Sequence, residues 1–123
     1  MAMILIVEDD AFIRGCAELM IKDWGYNTLS ASDVDEALAL LHSPQHIDAL
    51  VTDIRLKTAV HGGYELAHQA IQLRPNLRVL YATGNSVTDK LKAMFVEGAH
   101  FRQKPYTEKK LRQSIGELLA ESI

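Results

Sequence analysis

Short apolar runs alternate five times with stretches that repeat apolar side chains every three or four residues. The first run is Ile4-Leu5-Ile6-Val7. Behind it, Phe12, Ile13, Cys16, Ala17, Met20 and Trp24 share one helical face, and Gly25 ends that helix. A weaker strand is expected from Tyr26 to Ser30. Ser32 is placed as the N-cap of the next helix, with Asp35 and Glu36 in or near its first turn. That helix turns Val34, Ala37, Leu38 and Leu41 inward and stops at Pro44. The third strand reads Ala49-Leu50-Val51-Thr52. A loop through Gly62-Gly63 leads to a helix with Ala67, Ala70 and Ile71 on one face, closed before Pro75. A fourth strand runs from Leu77 to Ala82, and a fourth helix carries Val87, Leu91, Met94 and Phe95 and ends at Gly98. A short fifth strand lies near His100 to Arg102. Thr107 caps a last helix with Leu111, Ile115, Leu118 and Leu119 inward.

Strands alternating with helices predict an α/β fold: a parallel sheet, doubly wound, with helices on both faces. Strands one, three and four are nearly continuous apolar runs, as strands covered on both faces must be. Strands two and five are more polar and suit the edges. That distribution fits the flavodoxin-like order 2-1-3-4-5, in which ligands bind beyond the carboxyl ends of the strands.

At 123 residues the chain is expected to form one domain over 1–123. Its net charge of −3 argues against a dedicated nucleic-acid binder, which shows a basic stripe. A single cysteine, Cys16, excludes an internal disulfide and a Cys-rich zinc site; it is expected to pack on the first helix as a small hydrophobe. No apolar run approaches the roughly 20 residues of a membrane span. The N-terminus MAMILIVEDD lacks a basic region ahead of its apolar run, so it is not a signal peptide. The expected location is the cytoplasm.

Chemistry gathers at the predicted strand ends. Glu8, Asp9 and Asp10 follow strand one, Asp53 follows strand three, Thr83 and Gly84 follow strand four, and Lys104-Pro105 follows strand five. A doubly wound sheet converges these positions on one crevice. Carboxylates gathered there repel one another and call for a cation. Oxygen ligands with room for water and phosphate describe a Mg²⁺ site, with Mn²⁺ as an alternative. A carboxylate nucleophile, a divalent cation, a lysine and a hydroxyl are the parts that phosphoryl transfer needs. Asp10 is read as a helix-start residue. His42 and His46 are four apart, but Pro44 between them breaks the helix, and no histidine stands among the crevice motifs.

The segments ILIVEDD, ALVTD, VLYATG and FRQKP, in this order and spacing, resemble the receiver domain of two-component response regulators over the whole chain. The resemblance implies that Glu8 and Asp9 are the acid pair and Asp53 the phosphoacceptor. It implies Mg²⁺ bound directly by Asp9 and Asp53, through water by Glu8, and by the backbone carbonyl of Arg55. Thr83 would bind a phosphoryl oxygen, Lys104 would pair with the phosphoryl group, and Phe101 takes the position of the switch aromatic. The Lys104-Pro105 bond resembles the family's cis peptide. The stretch YATGNS resembles the FATGUY subgroup of receivers, with Tyr81 in place of its phenylalanine. Two features depart from the common pattern. Lys57 stands where many receivers have proline, in a longer and more basic loop after Asp53. Phe101 carries no hydroxyl, so its coupling to Thr83 must be steric.

The expected function is a phosphorylation-controlled switch. Asp53 takes a phosphoryl group from a phosphohistidine on a histidine kinase or phosphotransfer protein. The readout surface is the face formed by the fourth helix, fifth strand and last helix, which could also form a homodimer. No membrane or direct nucleic-acid contact is expected. Arg55, Gly84 and Asn85 border the path of attacking water and would modulate the lifetime of the phosphate. Other classes fit less well. A phosphohydrolase of small substrates needs an acid two residues after the nucleophile, where this chain has Arg55. An FMN carrier needs a phosphate cradle after strand one, where Glu8-Asp9-Asp10 would repel phosphate. The full set of acids, Thr83 and Lys104 argues against a receiver that works without phosphorylation. The chain ends in a helix with no output domain after it. It is therefore expected to be either a single-domain regulator or a receiver from a longer protein.

Overall fold

The computed structural model describes residues 2–56, 62–83, 92–103 and 107–120, with Thr83 described in its backbone only. The strands are β1 (Met3–Val7), β2 (Asn27–Ala31), β3 (Ala49–Asp53), β4 (Arg78–Thr83) and β5 (His100–Gln103). The helices are α1 (Ala11–Asp23), α2 (Val34–His42), α3 (Gly62–Leu73) and a C-terminal helix (Glu108–Ala120). All five strands are parallel, in the expected order β2-β1-β3-β4-β5. Most of the predicted fourth helix, including Val87 and Leu91, lies outside the described residues.

Alternation along the buried strands divides the core into two layers. Leu5, Val7, Leu50, Val79 and Tyr81 pack with Ala37 and Leu41 of α2 and with Tyr64, Ala67 and Ala70 of α3. Ile4, Ile6, Ala49, Val51 and Leu80 point the other way, onto Ala17 and Ile21 of α1 and onto Leu111, Ile115 and Leu118 of the C-terminal helix. Both faces of β1, β3 and β4 are therefore dry, which explains why these strands read as unbroken apolar runs.

Helix ends follow side-chain chemistry. Asp10 caps α1, accepting from the Phe12 and Ile13 amides at 2.9 and 3.0 Å. Gly25, at φ 94°, closes that helix: its N–H donates to the Lys22 carbonyl and the Tyr26 N–H to Ile21. The cap of α2 is Asp33 and not Ser32. The Asp33 carboxylate accepts the Glu36 amide at 2.8 Å, while Glu36 accepts the backbone N–H and hydroxyl of Ser32. Those bonds, chiefly the one from the hydroxyl, hold the Glu36 carboxyl below its ordinary range. Two adjacent residues could each supply the capping oxygen, and the carboxylate took the site. Thr107 caps the C-terminal helix as expected, accepting from the Lys110 N–H at 3.1 Å. Strand β2 runs one residue later than its sequence pattern suggests.

The predicted inward face of α1 needs correction. Phe12 is 79% exposed, and Ile13 and Cys16 are exposed too. The buried positions are Ala17 and Ile21, with Met20 and Trp24 packed beside them. Phe12 and Ile21 are nine residues apart, about half a turn out of phase at 3.6 residues per turn. Packing on Ile4, Ile6 and Val51 chose the Ile21 side, so Cys16 does not serve as a core hydrophobe.

Tyr81 is fully buried in β4, and its hydroxyl accepts the Val96 backbone N–H at 3.2 Å. Burial pushes its pKa up to about 12. Tyr81→Phe leaves a buried N–H without a partner and is expected to cost about 1–3 kcal/mol in urea denaturation at pH 7. Burial disfavours the phenolate, so the folded pKa lies above the unfolded one: folding stability is unaffected by this group below pH 10 and falls as pH rises through about 12. The phenylalanine variant should lack that part of the alkaline loss.

Candidate phosphoacceptor site

Three carboxylates meet at the carboxyl ends of β1 and β3. Pairing of β1 with β3 places Val7 beside Thr52, so the residues that follow, Glu8 and Asp53, come side by side at the carboxyl end of the sheet. Glu8, Asp9 and Asp53 each offer an oxygen within 4.8 Å of the others. Glu8 is only 6% exposed, and Asp9 and Asp53 are half-buried. The Glu8 N–H donates to the Ala31 carbonyl at 3.1 Å, extending the β1–β2 ladder by one bond. Its carbonyl accepts from Arg14 Nη1 at 2.8 Å, and its carboxylate accepts the Asp10 N–H at 3.3 Å. Glu8 is thereby fixed in backbone and side chain.

The peptide after Asp53 is equally constrained. The Ile54 N–H donates to Ala82 at 3.2 Å, and the Ile54 carbonyl accepts the Gly63 N–H at 2.8 Å. A Cβ on Gly63 would lie 2.1 Å from the Asp53 carbonyl oxygen and 2.7 Å from the Ile54 Cα. Gly62 and Gly63 are thus not a loop but the buried first turn of α3, with Gly63 seated on the Asp53–Ile54 backbone. On the floor of the site is a cavity of about 20 Å³ walled by Ile13, Val51, Ala82 and Leu111, beside Glu8 and Asp53. A much larger cavity, about 740 Å³, opens at the amino ends of the strands among Ala2, Asp48, Arg74 and Arg78, away from the acids.

The structure brings together Glu8, Asp9 and Asp53 as the sequence suggested. Arg55 is exposed two residues beyond Asp53. Thr83 ends β4 one residue past Ala82, the strand partner of Asp53, and pairs with Gln103. Phe101 on β5 is 38% exposed. Lys57, Gly84, Asn85, Lys104 and Pro105 lie outside the described residues. Asp10 is a cap, and His46 pairs with Asp48 at 2.6 Å, remote from the acids in the large cavity's wall. Sequence reasoning missed Arg14 and Gly63. A lone cation inside the acidic stretch 8–18 was the signal for Arg14, whereas a Gly-Gly pair reads as a loop whatever it touches.

A family model for the response regulator receiver domain matches residues 4–116. The chain belongs to that family. Receiver domains are signalling switches of two-component systems and bind Mg²⁺ at an acidic pocket, which here corresponds to the Glu8, Asp9 and Asp53 cluster. The chain is similar to an uncharacterized transcriptional regulatory protein, YrkP, of Bacillus subtilis, at 31% identity over 91% of this chain and 47% of that protein. It is 29% identical to the nitrogen assimilation regulatory protein NtrX of Azorhizobium caulinodans, over 88% of this chain and 24% of that protein. The chain spans about half or less of the length of these relatives. Among solved structures, a response regulator receiver protein from Sinorhizobium medicae superposes at a TM-score of 0.89 with 26% identity. That match covers 99% of this chain and 97% of the other. A CheY-like receiver domain protein from Methanospirillum hungatei also gives 0.89, at 27% identity over 99% of this chain and 96% of its own. No described helix is long and apolar enough to cross a membrane.

Gly63→Ala should either unseat α3 or push the Asp53 peptide aside, at a cost of about 2 kcal/mol or more by chemical denaturation. Gly116→Ala, whose Cβ meets open space within the C-terminal helix, is expected to stabilise by about 0.5–1 kcal/mol.

Proposed function

We propose that this receiver domain, extending over 1–123, accepts a phosphoryl group on Asp53 from a phosphohistidine of a histidine kinase or phosphotransfer protein. The observation that carries the reading is the acid cluster, with Asp53 at the end of the buried β3. Its all-oxygen donor set suits Mg²⁺ or Mn²⁺. Asp9 and Asp53 would hold the ion directly, Glu8 through water, and Arg55 through its backbone carbonyl. When bound, the ion neutralises charge on the acids and on the phosphoryl oxygens.

The chain's own groups do the rest. An oxygen of Asp53 forms a bond to phosphorus as the donor's P–N bond breaks and the imidazole leaves. Arg14 and the β1–β2 ladder keep Glu8 in place beside the acceptor. Thr83 and Lys104 meet the phosphoryl oxygens, and Phe101 repacks on the edge strand. The output is a changed surface along β5 and the C-terminal helix, read by a partner protein, a fused output domain or a second copy of the chain. Cytoplasmic location and the FATGUY assignment belong to the same reading. Arg55 also favours a switch over a phosphohydrolase, because it occupies the place of the second acid and is exposed.

Incubation with Mg²⁺ and acetyl phosphate should add one acid-stable, hydroxylamine-labile phosphate, measured by intact mass. Chelation of the metal and Asp53→Asn should each abolish it; full incorporation in Asp53→Asn would refute the acceptor assignment. A second expectation concerns lifetime. The Arg55 guanidinium can pair with the phosphoryl oxygens and shield them from in-line water. Arg55→Ala should shorten the half-life roughly five-fold at fixed Mg²⁺, the equivalent of about 1 kcal/mol. Slower decay would mean that Arg55 promotes hydrolysis.

A further inference from the structure

A continuous chain of aromatic rings begins at the acceptor's backbone and ends at the surface. Gly63 lies against the Asp53–Ile54 peptide with no space for even one carbon, and its N–H is bonded to the Ile54 carbonyl. The next residue, Tyr64, is 2% exposed and stands edge-on to Tyr81, with ring centroids 5.5 Å apart at 61°. It also meets Phe95 at 5.8 Å. Tyr81 and Phe95 lie 4.5 Å apart, and Phe95 meets Phe101 at 5.8 Å. The outermost ring, Phe101, has Lys92 Nζ 5.5 Å from its centroid and faces solvent on the edge strand.

This packing has mechanical consequences. Close-packed interiors transmit displacement because they have no empty space to absorb it. Contact between α3 and the Asp53 peptide is tighter than an ordinary van der Waals contact would allow for any other residue than glycine. A shift of that peptide when Asp53 takes up a phosphoryl group must therefore move the first turn of α3, and Tyr64 with it. Tyr81 is held at both ends: by its backbone in β4, beside Thr52 of β3, and by the Val96 N–H on its hydroxyl. A displaced Tyr64 ring therefore bears on Phe95, which in turn bears on Phe101.

We propose that Tyr64 is a positioning residue that couples the acceptor's backbone to Phe101 through Phe95, by a route separate from the Thr83 side chain. The proposal rests on the reading of Asp53 as phosphoacceptor. Contiguity alone does not establish coupling, so the test measures the response itself.

The experiment follows the Phe101 ring by NMR, with selective labelling, before and after phosphorylation with acetyl phosphate and Mg²⁺. Intact mass records phosphate uptake in the same samples. In the unmodified chain, uptake should shift the Phe101 ring signals. Tyr64→Leu should take up phosphate at a rate within about two-fold of that chain, yet show less than half of the Phe101 shift. Tyr64→Phe, which keeps the ring, should restore the full shift. Phe95→Leu should reduce the shift to the same degree, and combining it with Tyr64→Leu should reduce it no further, as expected for one route. If Tyr64→Leu does not fold, Phe95→Leu gives the reading from the next ring along. A phosphorylated Tyr64→Leu or Phe95→Leu protein with the full Phe101 shift overturns the coupling alone. Failure of the unmodified chain to take up phosphate overturns the acceptor reading, and the coupling with it.

Discussion

Pairing of β1 with β3 sets three carboxylates against one another, and much of the surrounding structure exists to hold them there. Like charges so near repel, and partial burial of Glu8 deepens the penalty because less water screens it. The fold resists that repulsion with rigid backbone. Glu8 is bonded to Ala31, Arg14 and Asp10, and the Asp53 peptide is clamped between β4 and α3. An all-oxygen cluster held this way suits a divalent cation. Under the proposed function, a phosphoryl group would add its charge to this already crowded region.

Rigidity around Asp53 is unevenly distributed. Toward α1 it comes from polar bonds, with Asp10 capping the helix and Arg14 reaching back to the Glu8 carbonyl. Toward α3 it comes from shape: one missing Cβ lets a helix rest on the acceptor's peptide, and aromatic rings fill the space beyond. Polar bonds can exchange partners when charge changes, whereas packed rings can only move together. The two sides of Asp53 are therefore built differently, by polar bonds on one and by packed rings on the other.

Much of this was legible in the sequence. The apolar runs of β1, β3 and β4 revealed the buried strands and hence the strand order, because burial on both faces leaves few positions for a polar residue. Asp53, Glu8 and Asp9 were legible because they interrupt those runs where the sheet ends. The face of α1 was not, because Phe12 and Cys16 satisfy helical periodicity as well as Ile21 does, and only the sheet beneath selects between them. Ser32 and its neighbour Asp33 carry equally suitable capping oxygens for α2, and the pattern alone does not rank the two. Gly63 was hidden for a deeper reason: what matters there is an atom it lacks, and the contact it permits is with a residue ten positions away in sequence.

The parallel sheet also determines how such a chain can come together. No two strands are joined by a hairpin. Met3 finds its partner at Asn27, and Ile4 finds its other partner at Ala49, with an entire βα unit in between. Every ladder must therefore close over a long loop before it gains a bond, which slows folding relative to folds with local contacts. The interior strand β1 is also the first of the five strands to be synthesised. Until β3 emerges, Ile4-Leu5-Ile6-Val7 is an uncovered apolar segment with open edges, the kind of species that aggregates or occupies chaperones. Sequence changes that weaken β3 would thus lengthen the time for which this segment stays uncovered.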